Sequence, residues 1–234
     1  MTPTTSAILL QARMASQRLP GKVLAPIGNR TLLGHCLERL RASGAAPVVV
    51  VTTTRDEDLA IVTEARRYGV QVFRGPDKDV LRRFLIAADA LDLEFLVRAT
   101  ADNPAVDIDA PARVLAAIEA ERADHVIERG LPYGSAVEAV RVSALREAAR
   151  AASEAADREH VTSYLHRYPE RFRLHEPEAP AAVRRPDVRL TVDTAADLTF
   201  VRRLFKHLGD APEPMALTNI IAASDELGGR AEAA

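Results

Sequence analysis

Apolar runs alternate with longer segments of helical periodicity over the first half of the chain. Four short apolar runs predict buried strands, at 7–11, 48–51, 70–73 and 94–99. In the segments between and after them, apolar residues recur at spacings of three and four, which predicts helices at 31–43, 57–68, 79–91 and 109–121. Strands that alternate with helices of this length are typical of βαβ units. We therefore expect an α/β fold with a mostly parallel sheet.

The pattern is less regular after residue 124. Further strands are predicted at 126–127, 136–142, 172–175 and 188–192. Further helices are predicted at 143–152, 158–166, 196–207 and 215–224. The Pro- and Ala-rich segment 176–186 has no periodicity, so we expect a mobile loop there. No linker is visible, which predicts a single domain over 7–210 with flexible termini at 1–6 and 226–234.

Composition narrows the function classes. The formal net charge of −2 gives no reason to expect nucleic-acid binding. No apolar stretch approaches the roughly 20 residues that a membrane-spanning helix needs, and the first six residues carry no basic side chain of a secretory signal. Cys36 is the only cysteine, so an intrachain disulfide and a cysteine metal cage are excluded. We expect a cytoplasmic protein in which Cys36 is a core residue.

The loop after the first strand has the residues of a polyphosphate site. Its sequence, ARMASQRLPGK, places Arg13, Arg18 and Lys22 among small residues that include Ser16 and Gly21. Glycine lets backbone N–H groups approach phosphate oxygens, and the cations neutralise them. The glycine spacing matches neither the Walker A loop nor the dinucleotide fingerprint. The alternative is a solvated basic turn. However, ligands of open α/β sheets bind at the carboxyl ends of the strands, which is where this loop would lie.

Two aspartates follow predicted strands. Asp102 lies in TADNP after the fourth strand, and Asp193 lies in TVDT after 188–192. If both strands run the same way in one sheet, the two carboxylates reach the edge that carries the cationic loop. Carboxylates beside phosphate-binding cations are suited to a hard divalent ion. The alternative for each is a helix N-cap or turn aspartate, which for Asp193 alone is about equally probable.

These segments carry a resemblance that covers most of the chain. ARMASQRLPGK, VVVTTTRDEDLAI, GVQVFRGPDKDVLRRF, RATADNP, REHVTSYL and RLTVDTAADL are similar to segments of the cytidylyltransferase family. The SpsF-type proteins of surface polysaccharide synthesis are the nearest branch, and CMP-sialic acid and CMP-Kdo synthetases are more distant. The chain departs from the family pattern at Arg82 and Ala139, which flank presumed ribose and acceptor contacts.

The resemblance implies a Rossmann-like sheet of the glycosyltransferase A type and an enzyme that uses CTP and Mg²⁺. It implies that the triphosphate contacts are Arg13, Ser16, Arg18, Gly21 and Lys22. It implies that Asp102 and Asp193 hold the metal and, with Arg13 and Lys22, carry the catalysis. Implied neighbours of the rest of the nucleotide are Gln11, Ala12, Thr52, Arg74, Asp79 and Arg83. Implied acceptor contacts are Glu138, Glu159 and His160.

The sequence leaves several alternatives open for individual residues and for the function. Asp79 and Arg83 could be an ordinary helix surface pair, and His160 could be a solvated helix residue. The acceptor is an acidic sugar or a phosphorylated small metabolite. A sugar transferase would need a DxD motif, and Asp107 and Asp109 supply its letters but read as the turn before a helix. A non-catalytic nucleotide-binding module would lack the metal pair. By resemblance we also expect a homodimer, with its contact in the irregular region 124–142 of an acceptor and dimerisation portion that spans about 124–186.

Overall fold

A computed structural model describes residues 5–209 and 214–229 as a mixed, mostly parallel sheet flanked by helices. Its strands are β1 Ser6–Gln11, β2 Pro26–Ile27, β3 Arg30–Thr31, β4 Val48–Thr53, β5 Gln71–Gly75, β6 Phe95–Thr100, β7 His125–Ile127, β8 Glu138–Arg141 and β9 Leu174–His175. Seven of them form one sheet in the order β5-β4-β1-β6-β8-β7-β9, and β2 and β3 form a separate hairpin. Only β8 runs antiparallel to its neighbours in the large sheet. The predicted fold class is confirmed.

Helices cover both faces of the sheet. They are α1 Leu32–Ala42, α2 Leu59–Arg67, α3 Val80–Ala90, α4 Ala110–Ala120, α5 Val142–Ala151, α6 Ala155–Glu159, α7 Ser163–Arg167, α8 Ala195–Leu208 and α9 Leu217–Glu226. Because side chains alternate along a strand, Leu10 packs in one core with Cys36, while Leu9 packs in the other with Phe84. Cys36 is a buried core residue, as predicted. Within the described ranges, no helix has the length and apolar character needed to cross a bilayer.

Two predicted elements differ in the structure. Segment 188–192 is extended but is not a strand of the sheet, because it crosses the edge beyond β6 and bonds to loops there. The Leu190 amide donates to the Tyr133 carbonyl and the Val192 amide to the Asp102 carbonyl, both at 2.8 Å. The predicted helix 158–166 is split into α6 and α7 by a turn that begins at His160.

The structure bears on the predicted mobile loop at 176–186 and on parts of the predicted flexible termini. Segment 176–186 is irregular apart from a single 3₁₀ turn, but Ala179 and Val183 are buried in it, so it packs against the body of the protein. Ser6 belongs to β1, and the Gly229 amide donates to the Ser224 carbonyl at 2.8 Å. Residues 1–4 and 230–234 of the predicted flexible termini lie outside the described residues.

A buried carboxylate fixes the start of the cationic loop to the neighbouring strand. Asp58 accepts a hydrogen bond from the Met14 amide at 2.7 Å through Oδ1. Its Oδ2 accepts from the Thr53 amide at 3.3 Å and from the Thr53 hydroxyl. Asp58 is 1% exposed, so these bonds form away from water. The loop is therefore anchored to the end of β4 before its cations begin.

Removal of this anchor gives a stability prediction. We expect Asp58→Ala to lower the free energy of unfolding by about 2 kcal/mol or more, because it leaves buried donors unpaired. Urea denaturation followed by circular dichroism measures the change. Asp56→Ala is the matched control, since Asp56 is exposed in the same turn and its loss should change stability by less than about 0.5 kcal/mol. Equal effects of the two variants would contradict the anchoring role.

Candidate active site

The cationic loop folds back at the carboxyl ends of the parallel strands. Gly21 has φ of 72°, in the left-handed region that glycine adopts without strain, and its amide donates to the Met14 carbonyl at 2.9 Å. Ser16 accepts from the Leu19 amide at 3.4 Å. This turn directs the next residue, Lys22, inward, and its side chain is 11% exposed. The loop thus presents a nearly buried ammonium at the edge of the sheet.

Lys22 brings the two predicted metal aspartates together. Its Nζ lies 3.3 Å from Asp102 Oδ2 and 3.1 Å from Asp193 Oδ1, and it donates to the Val192 carbonyl at 2.7 Å. Arg18 Nη2 lies 3.1 Å from the same oxygen of Asp193. Residues far apart in sequence therefore form a single charged cluster, as the sequence predicts.

The two carboxylates are held by different neighbours. The Thr100 hydroxyl donates to Asp102 Oδ1 at 2.6 Å, and Arg189 Nη2 donates to Asp193 Oδ2 at 3.0 Å. The Val192–Asp102 backbone bond sets the two aspartates side by side, in place of the paired parallel strands expected from the sequence.

Neither aspartate is a helix N-cap. Thr194 caps α8 in a capping box with Asp197, which places Asp193 one residue before the cap. Burial alone would raise the pKa of Asp197, but the Arg189 bond and the amides of Asp193 and Thr194 lower it to about 2. Asp102 precedes the start of α4 by eight residues. The N-cap alternative is therefore wrong for both aspartates, although Asp102 does lie in a turn.

The donor set fits a divalent cation. Two carboxylates converge on one ammonium, so the chain already holds a positive charge between Asp102 and Asp193. Mg²⁺ binds through one or two carboxylates, completed by water and substrate phosphate oxygens. Within the described ranges, no group of three or more His, Cys, Asp or Glu side chains could hold a metal alone. These residues would therefore hold the ion together with a phosphate ligand.

Some of the other cations and acceptor-side residues share one cavity with the two aspartates. Arg13 Nη2 lies 3.6 Å from Glu159 Oε1, and both side chains are partly exposed. His160 is exposed in the turn that separates α6 from α7 and lines a cavity of about 590 Å³. Arg18, Asp102 and Asp193 line this cavity too. The cavity thus brings His160 together with Arg18 and the two aspartates, whereas Arg13 and Glu159 are not part of its lining.

The predicted nucleotide residues at the ends of β1, β4 and β5 have varied surroundings. Ala12 is buried, and Gln11 Oε1 lies 3.5 Å from Arg98 Nη2. Arg74 donates to backbone carbonyls at the end of β4, so its guanidinium fixes that loop. Asp79 is the N-cap of α3, where it accepts from the Arg82 amide at 2.8 Å. It does not form a surface pair with the helix residue four positions later.

Arg83 is the least expected of these residues. It is fully buried, and none of its three guanidinium nitrogens has a hydrogen-bond partner among the described residues. The buried Thr52 hydroxyl likewise has no partner there. Burial lowers the pKa of Arg83, and the positive charge of Arg13 lowers it further. A buried charge or hydroxyl without a partner is costly, so Arg83 and Thr52 are candidates for contact with a polar ligand.

Glu138 differs from its predicted role as an acceptor contact. It lines the cavity, but it is 6% exposed and its carboxylate is engaged by Arg98 and by His125 Nε2, the latter at 2.6 Å. Burial opposes ionisation, yet these two partners hold the pKa of Glu138 well below its usual range. Sequence reasoning missed Arg98, whose signal is a charged residue inside the buried run 94–99. The carboxylate thus holds Arg98 rather than facing the cavity freely.

The DxD letters lie elsewhere. Asp107 is buried, and its Oδ2 accepts from Arg113 Nη2 at 2.6 Å. Asp109 is at the start of α4. These two residues do not line the cavity that contains Asp102 and Asp193. The sugar-transferase alternative therefore lacks its metal motif at this site.

Comparisons with known proteins place the chain in one enzyme family. Residues 7–222 match the family model described as Cytidylyltransferase. Protein MJ1063 of Methanocaldococcus jannaschii is 37% identical over 85% of this chain and 82% of its own. The spore coat polysaccharide biosynthesis protein SpsF of Bacillus subtilis is 33% identical, over 89% of each chain. The chain is also similar to 3-deoxy-manno-octulosonate cytidylyltransferases, but over a shorter stretch, which in one case covers 47% of this chain.

A solved structure extends the likeness to the fold. A cytidylyltransferase from Leptospira borgpetersenii superposes with a TM-score of 0.88 at 29% identity, over 96% of this chain and 95% of that one. The resemblance inferred from the sequence motifs is confirmed. The fold, the charged cluster and these matches together show that the chain belongs to the cytidylyltransferase family of nucleotidyltransferases.

Proposed function

We propose that this protein transfers CMP from CTP to a small anionic acceptor and releases pyrophosphate, with Mg²⁺ as the cofactor. The observation that carries the proposal is the convergence of Lys22, Asp102 and Asp193 at the end of the cationic loop. Polyphosphate needs cations, and a divalent ion needs carboxylates. The cluster supplies both within 3.3 Å.

The chain's own residues do the positioning. Arg13, Arg18 and Lys22 neutralise the triphosphate and orient it along the loop, with Gly21 permitting its close approach. Mg²⁺ held by Asp102 and Asp193 would supply charge stabilisation to phosphate oxygens. An acceptor oxygen then attacks the α-phosphorus in line, and the bond between the α-phosphorus and the pyrophosphate oxygen breaks. Such reactions depend on positioning and charge neutralisation.

The acceptor and the setting extend the proposal. The likeness to SpsF supports a sugar acid or phosphorylated metabolite used for surface polysaccharide or glycan synthesis. His160 lines the cavity and Glu159 directly precedes it in the chain, so both remain candidate contacts for such an acceptor. We also propose a cytoplasmic homodimer. Because β7 and β8 pair on both sides within the sheet, a dimer contact in 124–142 would involve the loop around Tyr133, which is 58% exposed.

Isosteric removal of the metal carboxylates tests the activity. We expect Asp102→Asn and Asp193→Asn each to reduce pyrophosphate release by about a hundredfold or more, because the metal ion that would stabilise the phosphate charge is no longer held. Release from CTP with Mg²⁺ is measured against a panel of sugar acids and phosphorylated metabolites, and circular dichroism confirms folding.

Asp109→Asn is the matched control for the metal assignment. Asp109 is an exposed aspartate outside the cavity, so this variant should keep full activity. Full activity in Asp102→Asn would refute the metal assignment. Loss of activity in Asp109→Asn would instead favour the DxD alternative.

The unpartnered donors of Arg83 suggest how the protein would distinguish CTP from UTP. Cytosine presents adjacent acceptors, O2 and N3, whereas N3 of uracil carries a hydrogen. The Arg83 guanidinium has donors only, so its contact with this edge would favour cytosine over uracil. A good bidentate base contact is worth about 1–3 kcal/mol of discrimination. The buried Thr52 hydroxyl is the second candidate for this edge.

Substitution of Arg83 separates base choice from folding. We expect Arg83→Met to reduce the preference for CTP over UTP by about thirtyfold, which corresponds to about 2 kcal/mol, the middle of the range for a bidentate contact. The ligand-free variant should be at least as stable as the wild type, because an unpaired buried charge is replaced by an apolar chain. Titration calorimetry and thermal denaturation measure the two quantities. An unchanged CTP to UTP ratio would exclude Arg83 from base recognition.

A further inference from the structure

We propose that Arg98 contacts the α-phosphate of the bound nucleotide, and that Glu138 and His125 are positioning residues that act through it. The inference rests on the proposed function, because it assigns a place to the reacting phosphate. Arg98 begins the family-like segment RATADNP, but the sequence assigns no role to Arg98 or His125. The pairing of Arg98, Glu138 and His125 is visible only in the structure.

Arg98 lies between the nucleotide side and the acceptor side of the site. On β6 it pairs in register with Leu9 of β1, and its Nη2 reaches Gln11 Oε1 at 3.5 Å. It also lines the cavity that contains Asp102. In the proposed reaction, the α-phosphorus is the atom at which nucleotide and acceptor meet. A guanidinium at this junction is therefore placed for that phosphate.

The guanidinium has donors to spare. Arg98 Nη1 bonds to Glu138 Oε1, but Nε is buried and has no hydrogen-bond partner among the described residues. Its side chain is 21% exposed, so part of it faces the cavity. An arginine has five N–H donors in a fixed plane that matches phosphate oxygens. Those not used by Glu138 and Gln11 remain for a ligand.

A buried chain of polar groups fixes the plane of Arg98. Glu138 Oε2 lies 2.6 Å from His125 Nε2, and His125 is fully buried. The His125 ring packs edge-on against His166, with centroids 4.7 Å apart. Glu138 compensates the charge of Arg98 in the ligand-free protein, which reduces the cost of burial. Such a shell holds a charged group at its working position before substrate arrives.

The chemistry assigned to Arg98 is electrostatic. The acceptor oxygen forms its bond to the α-phosphorus, the bond to the bridging oxygen breaks, and pyrophosphate leaves with the electron pair. Where the acceptor is a hydroxyl, its proton passes to the departing pyrophosphate. Arg98 neither gives nor takes a proton in this step. It donates hydrogen bonds to oxygens that gain negative charge as the pentavalent state forms, where a fixed donor is most effective.

Paired ligands isolate the α-phosphate contact. Titration calorimetry with cytidine and CMP, both with Mg²⁺, gives the contribution of this phosphate as the ratio of the two affinities. We expect Arg98→Gln to reduce that ratio about tenfold and to leave cytidine affinity unchanged. Arg98→Lys, which keeps the charge but not the fork, should recover part of the loss. Arg141→Gln is the matched control, since Arg141 bonds to Glu94 and Asp124 outside the cavity.

Glu138→Gln tests the positioning role. It should reduce the CMP to cytidine ratio in the same direction but less, and the double variant with Arg98→Gln should show no further loss, because Glu138 acts through Arg98. A role in folding alone would lower the unfolding temperature and leave the ratio unchanged. A wild-type ratio in both Arg98 variants would overturn this proposal alone. Failure of the wild-type protein to bind CTP would overturn the proposed function as well.

Discussion

The contact of one ammonium with two carboxylates is the interaction on which the site depends. Lys22 comes from the loop after β1, Asp102 from the end of β6, and Asp193 from the segment before α8. Each of these charges would be costly at such burial without the others. The cluster therefore joins three distant parts of the chain at the sheet edge, and it is also the arrangement that a metal-bound triphosphate can replace with its own charges.

Supporting contacts keep that cluster in place. Asp58 anchors the loop at Met14, Gly21 turns it inward, and Arg189 orients Asp193 from behind. Each bond fixes one group before a ligand arrives, which is how a site reduces the reorganisation required during reaction. Arg83 and Thr52, by contrast, have buried polar atoms without a hydrogen-bond partner in the part of the chain that the structure describes, which is the basis for proposing them as ligand contacts.

Sequence patterns predicted the fold class and the charged cluster because both have short-range signals. The periodicity of the strands and helices predicts the sheet. Cations or a carboxylate directly after a predicted strand indicate which edge of that sheet binds the ligand. The pairings of Glu138 with Arg98 and His125 could not be predicted, since they join β6, β7 and β8 across the sheet. The alternating apolar residues of 188–192 predict a strand, and they are buried, but the backbone amides of this segment bond to loops instead of a strand of the sheet. Burial is readable from sequence, whereas hydrogen-bond partners depend on tertiary contacts.

A crystal structure of the complex with CTP and Mn²⁺ tests the central claim most directly. Anomalous scattering locates the manganese ion independently of the surrounding electron density. The account predicts manganese between the carboxylates of Asp102 and Asp193, with Lys22 Nζ moved from them to a phosphate oxygen. Manganese bound elsewhere, with Lys22 still joined to both aspartates, would contradict it.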